Sequence, residues 1–442
     1  MRIQPASTCR ATRGVVCAVD HLAAQAGLAM LRAGGSAADA AVATSAVLAV
    51  TTQHLCGMGG DLLAVVVPPG RGLPVALNAS GRAGSGADAD QLRSEGHSVM
   101  PARGDIRSVT IPGCVDGWLA LHERFGRLPL EDVLTPARYY ADEGFPASPT
   151  LVAALPSVAD LPDAVDYTGT GSLQPGSIIR RPGVARVLGD IAAGGRAGFY
   201  EGEFGEGLVE LGGGEFVASD LKAPLADWVP ALGADGFGHR LWTVPPNSQG
   251  YLTLASAWIA SGLELPADPD DPQWPHSLIE AARQAAFDRL DVLYEGANGE
   301  ALISPVRLGS RRAAIDPDHA AILGDGYRAG GTIALTVVDS DRLGIALLQS
   351  NAAGFGSHLI VPGVRIFLHN RGIGFSLDPG HPADYGPGRR PPHTLSPTAV
   401  TRADGTLAGV LGTMGGDSQP QILLQLLARW LVTGESPGSA IA

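Results

Sequence analysis

A glycine pair followed by a threonine, Gly330-Gly331-Thr332, lies directly before an apolar stretch typical of a buried strand. If the Gly331–Thr332 peptide bond breaks, Thr332 carries a free α-amine next to its own hydroxyl, and such an amine can activate a weak nucleophile. Gly331 suits a scissile position because the missing Cβ permits a strained backbone. Threonine also starts many strands simply because it is β-branched. The motif alone therefore leaves a catalytic threonine and an ordinary strand residue open.

A second glycine pair, Gly415-Gly416, precedes a helix expected over Pro420–Val432. Unpaired N–H groups at a helix start can stabilise an oxyanion. The alternative is a plain glycine turn before a helix capped by Asp417 or Ser418. A third cluster, Cys56–Gly60, leads into a strand and not a helix, which argues against phosphate binding.

Composition narrows the class of protein. The chain has 442 residues, 45% hydrophobic and 17% charged, with a formal net charge of −13. This predicts a soluble protein with a large core and disfavours nucleic acid or an anionic membrane as partner. The four cysteines lack paired spacing and are expected to be reduced. The N-terminus shows no apolar secretory segment, so a cytoplasmic protein is expected. The 11 histidines show no metal-ligand spacing, and no cofactor or metal is expected.

The elements that would position the two glycine motifs follow from periodicity and turn residues. A hairpin is predicted from the strand at Thr332, a turn at 340–342 and a partner strand over Leu343–Ser350. Glycines end a helix predicted over His21–Arg32, and Ser36 caps the next one. The same patterns predict further helices and strands. The helices are Ala37–Val50 and His276–Leu293, and the strands are Leu62–Val67, Val364–His369, Thr398–Arg402 and Leu407–Gly412.

Several stretches, taken in order, resemble the γ-glutamyltranspeptidase family. They are AVDHLAAQAGLAMLRAGGSAADAAVA, SVTIPGCVDGWLALHERFG followed by LEDVLTPA, EAARQAAFDR, GTIALTVVD, FGSHLIVPG, RRPPHTLSPT and GTMGGDSQPQ. The resemblance covers nearly the whole chain. It implies an α+β N-terminal nucleophile hydrolase fold, a four-layer αββα sandwich of two stacked antiparallel sheets flanked by helices.

The resemblance also implies roles for individual residues. The precursor would cut itself at Gly331–Thr332 into a large subunit, 1–331, and a small subunit, 332–442, which together form one composite domain. Thr332 would be the nucleophile and its amine the general base, with Ser350 hydrogen-bonding the nucleophile. Gly415 and Gly416 match the oxyanion glycines, and the family's two carboxylate-holding serines align with His393 and Thr394.

The chain departs from the family in the donor pocket. Ser80 stands where the family has an arginine that clamps the donor α-carboxylate, although Arg82 follows two residues later. The acid that pairs with the donor α-ammonium aligns with Gly374, and a neighbouring glutamine position holds Arg371. The pocket asparagine aligns with an alanine, with Asn351 beside it. An ammonium placed near an arginine and without an acid loses its ion pair, whereas a carboxylate could bind Arg371 or Arg82.

Three functions follow as expectations. The first is a self-processing hydrolase or acyltransferase that cleaves γ-glutamyl (glutathione-type) amides through an ester on Thr332. The second is a glutaryl-type (cephalosporin) acylase of the same family, and the third is an unprocessed, inactive homologue that binds small molecules. The family's small subunit continues beyond Ala442, so an open sheet edge is expected to favour a homodimer or aggregation.

Overall fold

The computed structural model describes residues 8–168, 172–323 and 330–441. Its strands, in chain order, are β1 Val15–Cys17, β2 Asp61–Val67, β3 Val75–Ala79, β4 Phe145–Pro146, β5 Ile178–Ile179, β6 Asp227–Pro230, β7 Leu232–Gly236, β8 His239–Thr243, β9 Gly331–Val338, β10 Gly344–Ala352, β11 Ile360–Val361, β12 Ile366–Phe367, β13 Thr398–Thr401 and β14 Leu407–Leu411.

The α-helices are α1 His21–Arg32, α2 Ala37–Thr51, α3 Ala89–Ser94, α4 Cys114–Phe125, α5 Leu130–Glu143, α6 Pro149–Ala154, α7 Val165–Thr168, α8 Pro182–Tyr200, α9 Glu203–Gly212, α10 Tyr251–Ala260, α11 Gln273–Ala286, α12 Arg289–Val292, α13 Gly299–Leu302, α14 Pro305–Ala313, α15 Gln419–Leu431 and α16 Pro437–Ile441. Short 3-10 turns lie between them, one of which, Arg371–Gly374, belongs to the candidate site. Within the described ranges no helix is long and apolar enough to cross a membrane.

Two antiparallel sheets form the centre of the molecule. The first has six strands in the order β1-β9-β10-β2-β3-β6, and the second has four in the order β14-β13-β8-β7. Each sheet therefore combines strands from before and after Thr332. Strands from both sides of Thr332 thus share the same two sheets, as expected if the two regions form one composite domain.

Alternation along the strands explains the four layers. On β9, the side chains of Ile333, Leu335 and Val337 pack with the helices α1, α2, α4, α5 and α8. Ala334 and Val338 point the other way and meet residues of the second sheet. Because successive side chains on a strand point to opposite faces, both faces of the central strands are covered, and β2, β9 and β10 are mostly apolar. The outer face of the second sheet packs on α10, α11, α14 and α15. The predicted αββα sandwich is confirmed.

Helix α2 shows how local sequence positions the first layer. All 15 of its residues are buried, which its uniform alanine and valine surface predicts. Ser36 accepts hydrogen bonds from the backbone N–H groups of Ala38 and Asp39, and the Asp39 carboxylate accepts from the Ser36 N–H, which completes a capping box. Asp39 also accepts from the Arg127 backbone N–H at 2.9 Å, so it joins the start of α2 to the loop between α4 and α5.

One predicted helix is wrong in its extent. The stretch His276–Leu293 was expected to be a single helix, but α11 ends at Ala286 and the short α12 begins at Arg289. The break places Asp288 between the guanidinium groups of Arg307 and Arg311, at 2.6 and 2.5 Å. It also lets Arg289 reach Asp417 at 3.0 Å. These ion pairs are formed with residues distant in sequence, which helical periodicity cannot reveal.

Candidate active site

The Gly331–Thr332 junction lies inside the core at the start of β9. The Thr332 side chain is 1% exposed. A Cβ added at Gly331 would lie 3.2 Å from both the carbonyl carbon and the oxygen of Ala353, so a side chain there would be tightly packed against this backbone. The junction is therefore a closely packed peptide bond next to a buried threonine.

Ser350 lies beside this junction because β10 is irregular at its end. The register of β10 against β9 shifts between Gln349 and Ala352, and Ser350 faces Asp61 of β2. The Ser350 hydroxyl donates to the Gly331 carbonyl oxygen at 2.6 Å and lies 3.3 Å from the Thr332 hydroxyl. The Ala352 N–H donates to the same hydroxyl at 2.9 Å. Ser350 thus contacts both the carbonyl of the junction and the candidate nucleophile.

Arg371 reaches the same serine from the 3-10 turn Arg371–Gly374. One of its terminal nitrogens donates to Ser350 Oγ at 3.0 Å and the other donates to Thr394 Oγ1 at 3.2 Å. Burial lowers the pKa of Arg371 to about 10, although the nearby carboxylates of Asp61 and Asp417 oppose that shift. Of the two residues expected from the sequence to bind substrate, Arg371 therefore contacts Ser350 directly, and Thr394 contacts Arg371.

Asp61 forms a buried charge cluster behind Arg371. Its Oδ2 accepts from His393 Nε2 at 3.0 Å and lies 3.2 Å from His369 Nδ1 and 3.7 Å from Arg371 Nε. Its Oδ1 accepts from the Gly81 N–H at 2.8 Å. Burial alone would raise the pKa of Asp61, but His369 and His393 outweigh it and hold that pKa well below its usual range. Asp61 is therefore an anion that anchors several cationic or donor groups.

The structure gives His393 a different place from the one expected of a substrate-binding residue. The Leu395 N–H donates to its Nδ1 at 3.2 Å, so Nε2 carries the hydrogen that is donated to Asp61. Both ring nitrogens are engaged within the protein. Burial, with the charge of Arg371, lowers the pKa of His393 to about 4, so the ring is neutral at neutral pH. His393 supports the cluster, and its neighbour Thr394 is the one that touches Arg371.

The oxyanion candidates lie close to the junction. Gly415 and Gly416 have φ values of 131° and 56°, in the region that favours glycine. A Cβ built at Gly330 would lie 3.3 Å from Gly416 Cα and 3.9 Å from its nitrogen, so this loop passes directly over the residue preceding the junction. Gln249 fixes the loop, since its Nε2 donates to the carbonyl oxygens of Gly416, at 2.9 Å, and Thr394, at 2.7 Å.

Three other predicted site residues are engaged elsewhere. Ser80 donates to Asn78 Oδ1 at 2.8 Å, inside a buried amide network that includes Asn247. Arg82 binds Glu295 at 2.7 Å and the Gly388 carbonyl at 2.8 Å. The Asn351 side-chain amide donates to the Gln53 carbonyl oxygen at 3.0 Å. Of the two arginines considered from the sequence, Arg371 is the one in contact with Ser350.

Sequence reasoning did not single out Asp61, His369 or Gln249 as site residues. A weak signal existed for Asp61, because it is an acid at the head of an otherwise apolar strand and both its faces are covered. His369 and Gln249 gave no local signal. Their partners lie more than a hundred residues away in the chain, at Thr110 and Gly416 respectively.

Comparison with known proteins identifies the family. A model of the gamma-glutamyltranspeptidase family matches residues 23–442. The chain belongs to the γ-glutamyltranspeptidase family. Its curated relatives include the oxamate amidohydrolase proenzyme of Klebsiella pneumoniae, 35% identical over 96% of this chain and 83% of that protein. The glutathione hydrolase-like YwrD proenzyme of Bacillus subtilis is 33% identical over 98% of this chain and 84% of that protein.

The fold agrees with solved members and relatives of the γ-glutamyltranspeptidase family. The cephalosporin acylase from Bacillus halodurans superposes with a TM-score of 0.91, at 33% identity, over 100% of this chain and 85% of that one. The names of these three proteins differ in the acyl group that they imply. Membership of the family therefore establishes an enzyme of the hydrolase type and leaves its substrate to the site.

Proposed function

We propose that this protein is a self-processing amide hydrolase that uses Thr332 as its nucleophile on amides whose acyl group carries a carboxylate and lacks an α-ammonium. The observation that carries the proposal is the contact of Arg371 with Ser350, 3.0 Å away, next to Thr332. The family resemblance places a glutamine at this position, so the site has gained a positive charge. Glutaryl amides and shorter dicarboxylic monoamides belong to this substrate class.

The reaction follows from the groups around Thr332. Once the Gly331–Thr332 bond is cut, the free amine of Thr332 accepts the hydroxyl proton while Oγ attacks the amide carbon of the donor. The oxyanion is stabilised by the N–H groups of Gly415 and Gly416. The leaving amine takes the proton, and a threonyl ester remains. Water then attacks the ester and releases the acid.

The charges near the site favour a carboxylate over an ammonium. Arg371 has five N–H groups, and its two terminal nitrogens each retain one beyond the hydrogen bonds to Ser350 and Thr394. These can bind a carboxylate in a charge-assisted way. Asp417, the acid beside the oxyanion glycines, is paired with Arg289 at 3.0 Å. An α-ammonium would have to compete with Arg289 for that acid.

A γ-glutamyl donor is the second candidate. It is favoured by the family itself and by Asp417, whose position next to Gly416 would suit an α-ammonium if Arg289 moved away. The relatives that are named oxamate amidohydrolase and cephalosporin acylase support the first candidate, whereas the one named glutathione hydrolase-like supports the second.

The experiment has two parts. Intact-mass measurement of purified protein should give two chains that separate before Thr332, and Thr332→Ala should remain a single inactive chain, whereas Thr332→Ser should still be cut. On fully cut material, kcat/KM is then compared for glutaryl and γ-glutamyl p-nitroanilides, and release of ammonia from oxamate is measured separately.

We expect the glutaryl anilide to be cleaved at least as well as the γ-glutamyl anilide, and Arg371→Gln to lower kcat/KM for the glutaryl donor more than for the γ-glutamyl donor. A γ-glutamyl preference of ~100-fold, about 2.7 kcal/mol, would refute the substrate class and favour the second candidate. Two chains in the Thr332→Ala variant would refute the nucleophile.

A further inference from the structure

The hydroxyl of Ser350 has more neighbours than it can hydrogen-bond at once. A hydroxyl offers one hydrogen and two lone pairs. The Gly331 carbonyl oxygen, 2.6 Å away, can only accept, so it takes the hydrogen. The Ala352 N–H and an Arg371 N–H, at 2.9 and 3.0 Å, can only donate, so they occupy the two lone pairs. The Thr332 hydroxyl, at 3.3 Å, is left with the weakest contact.

This hydrogen count defines the direction of the Ser350 hydrogen in the uncut chain. If Arg371 were absent, one lone pair of Ser350 would be open and the Thr332 hydroxyl could donate to it. Because Arg371 is charged, its donation also polarises the Ser350 O–H group and strengthens the hydrogen bond to the Gly331 carbonyl. The peptide carbonyl that Thr332 would attack is thus the one that receives this hydrogen.

We propose that Arg371 is a positioning residue for self-cleavage, because its charged N–H donates to Ser350 Oγ and strengthens the hydrogen bond that Ser350 donates to the carbonyl oxygen of Gly331. The inference rests on the proposed function in one respect, which is the identity of Thr332 as nucleophile. It assigns to Arg371 a role that precedes substrate binding and operates through Ser350.

The step is an N-to-O acyl shift followed by hydrolysis. Thr332 Oγ forms a bond to the Gly331 carbonyl carbon, and the carbonyl electron pair moves onto the oxygen that Ser350 faces. The C–N bond then breaks, the nitrogen of Thr332 takes the proton lost by Oγ, and an ester joins Gly331 to Thr332. Water cleaves the ester, which leaves a carboxylate on Gly331 and both an amine and a hydroxyl on Thr332.

Cleavage also frees the hydrogen of Ser350 for a second role. With the Gly331 carbonyl no longer covalently held at 2.6 Å, the Ser350 hydrogen can turn to Thr332 Oγ. The lone pairs of Ser350 are still occupied by Ala352 and Arg371, so Ser350 can serve Thr332 only as a donor. A donor to Oγ stabilises negative charge on that oxygen when the threonyl ester is broken.

Asp61 explains how Arg371 is kept in this orientation. The guanidinium is held at three corners, by Ser350, by Thr394 Oγ1 at 3.2 Å and by Asp61, whose Oδ2 lies 3.7 Å from Nε. Asp61 is itself fixed by the Gly81 N–H and by His393. A planar fork with fixed donors fits such a site, whereas a lysine ammonium could not reach the three partners together.

The test measures the rate of self-cleavage directly. Precursor made by cell-free synthesis is sampled over time, and the uncut fraction is read from a denaturing gel. We expect Arg371→Met to slow the first-order rate by at least ~10-fold, as for the loss of part of an oxyanion interaction, and Arg371→Lys to fall between Arg371→Met and the unmodified chain. Arg311→Met serves as the matched control. Arg311 is also buried, but it lies on α14 and binds the Gln284 carbonyl oxygen and Asp288, away from Ser350. Its loss should therefore leave the rate of self-cleavage within about twofold of the unmodified chain.

A double-mutant cycle separates a role through Ser350 from a general structural role. In a Ser350→Thr background, which keeps the hydroxyl, Arg371→Met should slow cleavage by the same factor as in the unmodified chain. In a Ser350→Ala background it should add less than about twofold. Equal slowing in the alanine background, or no slowing with serine or threonine at position 350, would overturn the inference.

Failure of the positioning role can be distinguished from failure of the proposed function. If Arg371→Met is cut at the normal rate but no longer hydrolyses the glutaryl donor, the substrate proposal stands and the positioning role falls. If the unmodified chain is never cut before Thr332, the proposed function itself fails.

Discussion

Replacing Asp61 by asparagine tests the buried charge cluster on which the site depends. The carboxylate is 0% exposed, accepts a hydrogen bond from His393 and lies 3.2 Å from His369 Nδ1 and 3.7 Å from Arg371 Nε. Asparagine has nearly the same shape, so no cavity forms. Its side chain has no charge, however, and one of its two polar ends is a donor that would face other donors.

The magnitude follows from the cost of an uncompensated buried charge. Breaking a buried ion pair by removing one partner destabilises a protein by about 3–5 kcal/mol. Unfolding entropy of about 2.1 cal/mol/K per residue gives roughly 0.9 kcal/mol/K for a chain of 442 residues, so this loss lowers Tm by about 3–5 °C. The Asp61→Asn variant should also be cut more slowly before Thr332, because Arg371 loses one of its three anchors.

The assay compares Asp61→Asn with Asp341→Asn by thermal unfolding at pH 7. Asp341 binds Arg127 at 2.7 Å and both side chains are half exposed, and an exposed pair contributes about 1 kcal/mol or less. The control should therefore shift Tm by about 1 °C. If Asp61→Asn lowers Tm no more than the control does, Asp61 does not compensate a buried charge. The proposal that Asp61 orients Arg371 would then be unsupported.

The pH dependence of stability provides an independent check that the pKa of Asp61 is lowered, and not raised, in the folded protein. The folded pKa of Asp61 is lowered, so its contribution to stability is fully present above the unfolded pKa, near 3.8, and is lost as the pH falls below that value toward the folded pKa. Between pH 7 and 5 the carboxylate is ionised in both the folded and unfolded states. The difference in stability between the two proteins should therefore stay constant across that window, and a difference that shrinks steadily from pH 7 to 5 would contradict the assignment.

Two further predictions concern the oxyanion loop and a second buried histidine. Gly416→Ala should lower kcat by about 100-fold through displacement of an oxyanion donor, whereas Gly434→Ala, which shares a positive φ of 72° but has no atoms within 4 Å of an added Cβ, should keep full activity; equal activity of both variants would show that Gly416 is only a turn residue. Burial lowers the pKa of His54 to about 4 from 6.5, so its stabilising contribution is present above pH 6.5 and is lost as pH falls toward 4, by up to about 3 kcal/mol. His54→Gln should flatten the fall of Tm over that range relative to His319→Gln, a change at an exposed histidine, and parallel curves for the two variants would contradict this.

Local patterns in the sequence were sufficient for much of the fold. Helix α1 was predicted with its observed ends because glycines stop it, and the hairpin of β9 and β10 was predicted because apolar residues alternate on both sides of a short polar turn. The helix expected over His276–Leu293 was wrong in extent because Asp288 and Arg289 form ion pairs with residues far away in the chain. Hydrophobic periodicity indicates which face of a helix is apolar. It does not indicate where an ion pair with a distant residue ends the helix.

Residues of the candidate site could be predicted where a short sequence motif contains them. They could not be predicted where their role depends on contacts between distant parts of the chain. The Gly331–Thr332 junction and the Gly415–Gly416 pair gave only a weak local signal, and the resemblance to the family made them candidates. Asp61 could not, since its partners at positions 369, 371 and 393 are more than 300 residues away. For the same reason His393 was assigned to the substrate, although its ring is turned to Asp61.

The position of Arg371 links self-cleavage to the choice of substrate through one side chain. Its guanidinium donates one N–H to Ser350 and one to Thr394, and its Nε faces Asp61. Two N–H groups remain, one on each terminal nitrogen, on a guanidinium that contacts Ser350, the neighbour of Thr332. A donor carboxylate can therefore bind without displacing the contacts that orient Ser350, whereas an α-ammonium in the same place would repel the charge that those contacts require. The two proposed roles of Arg371 are therefore compatible with each other when the acyl group carries a free carboxylate and no α-ammonium.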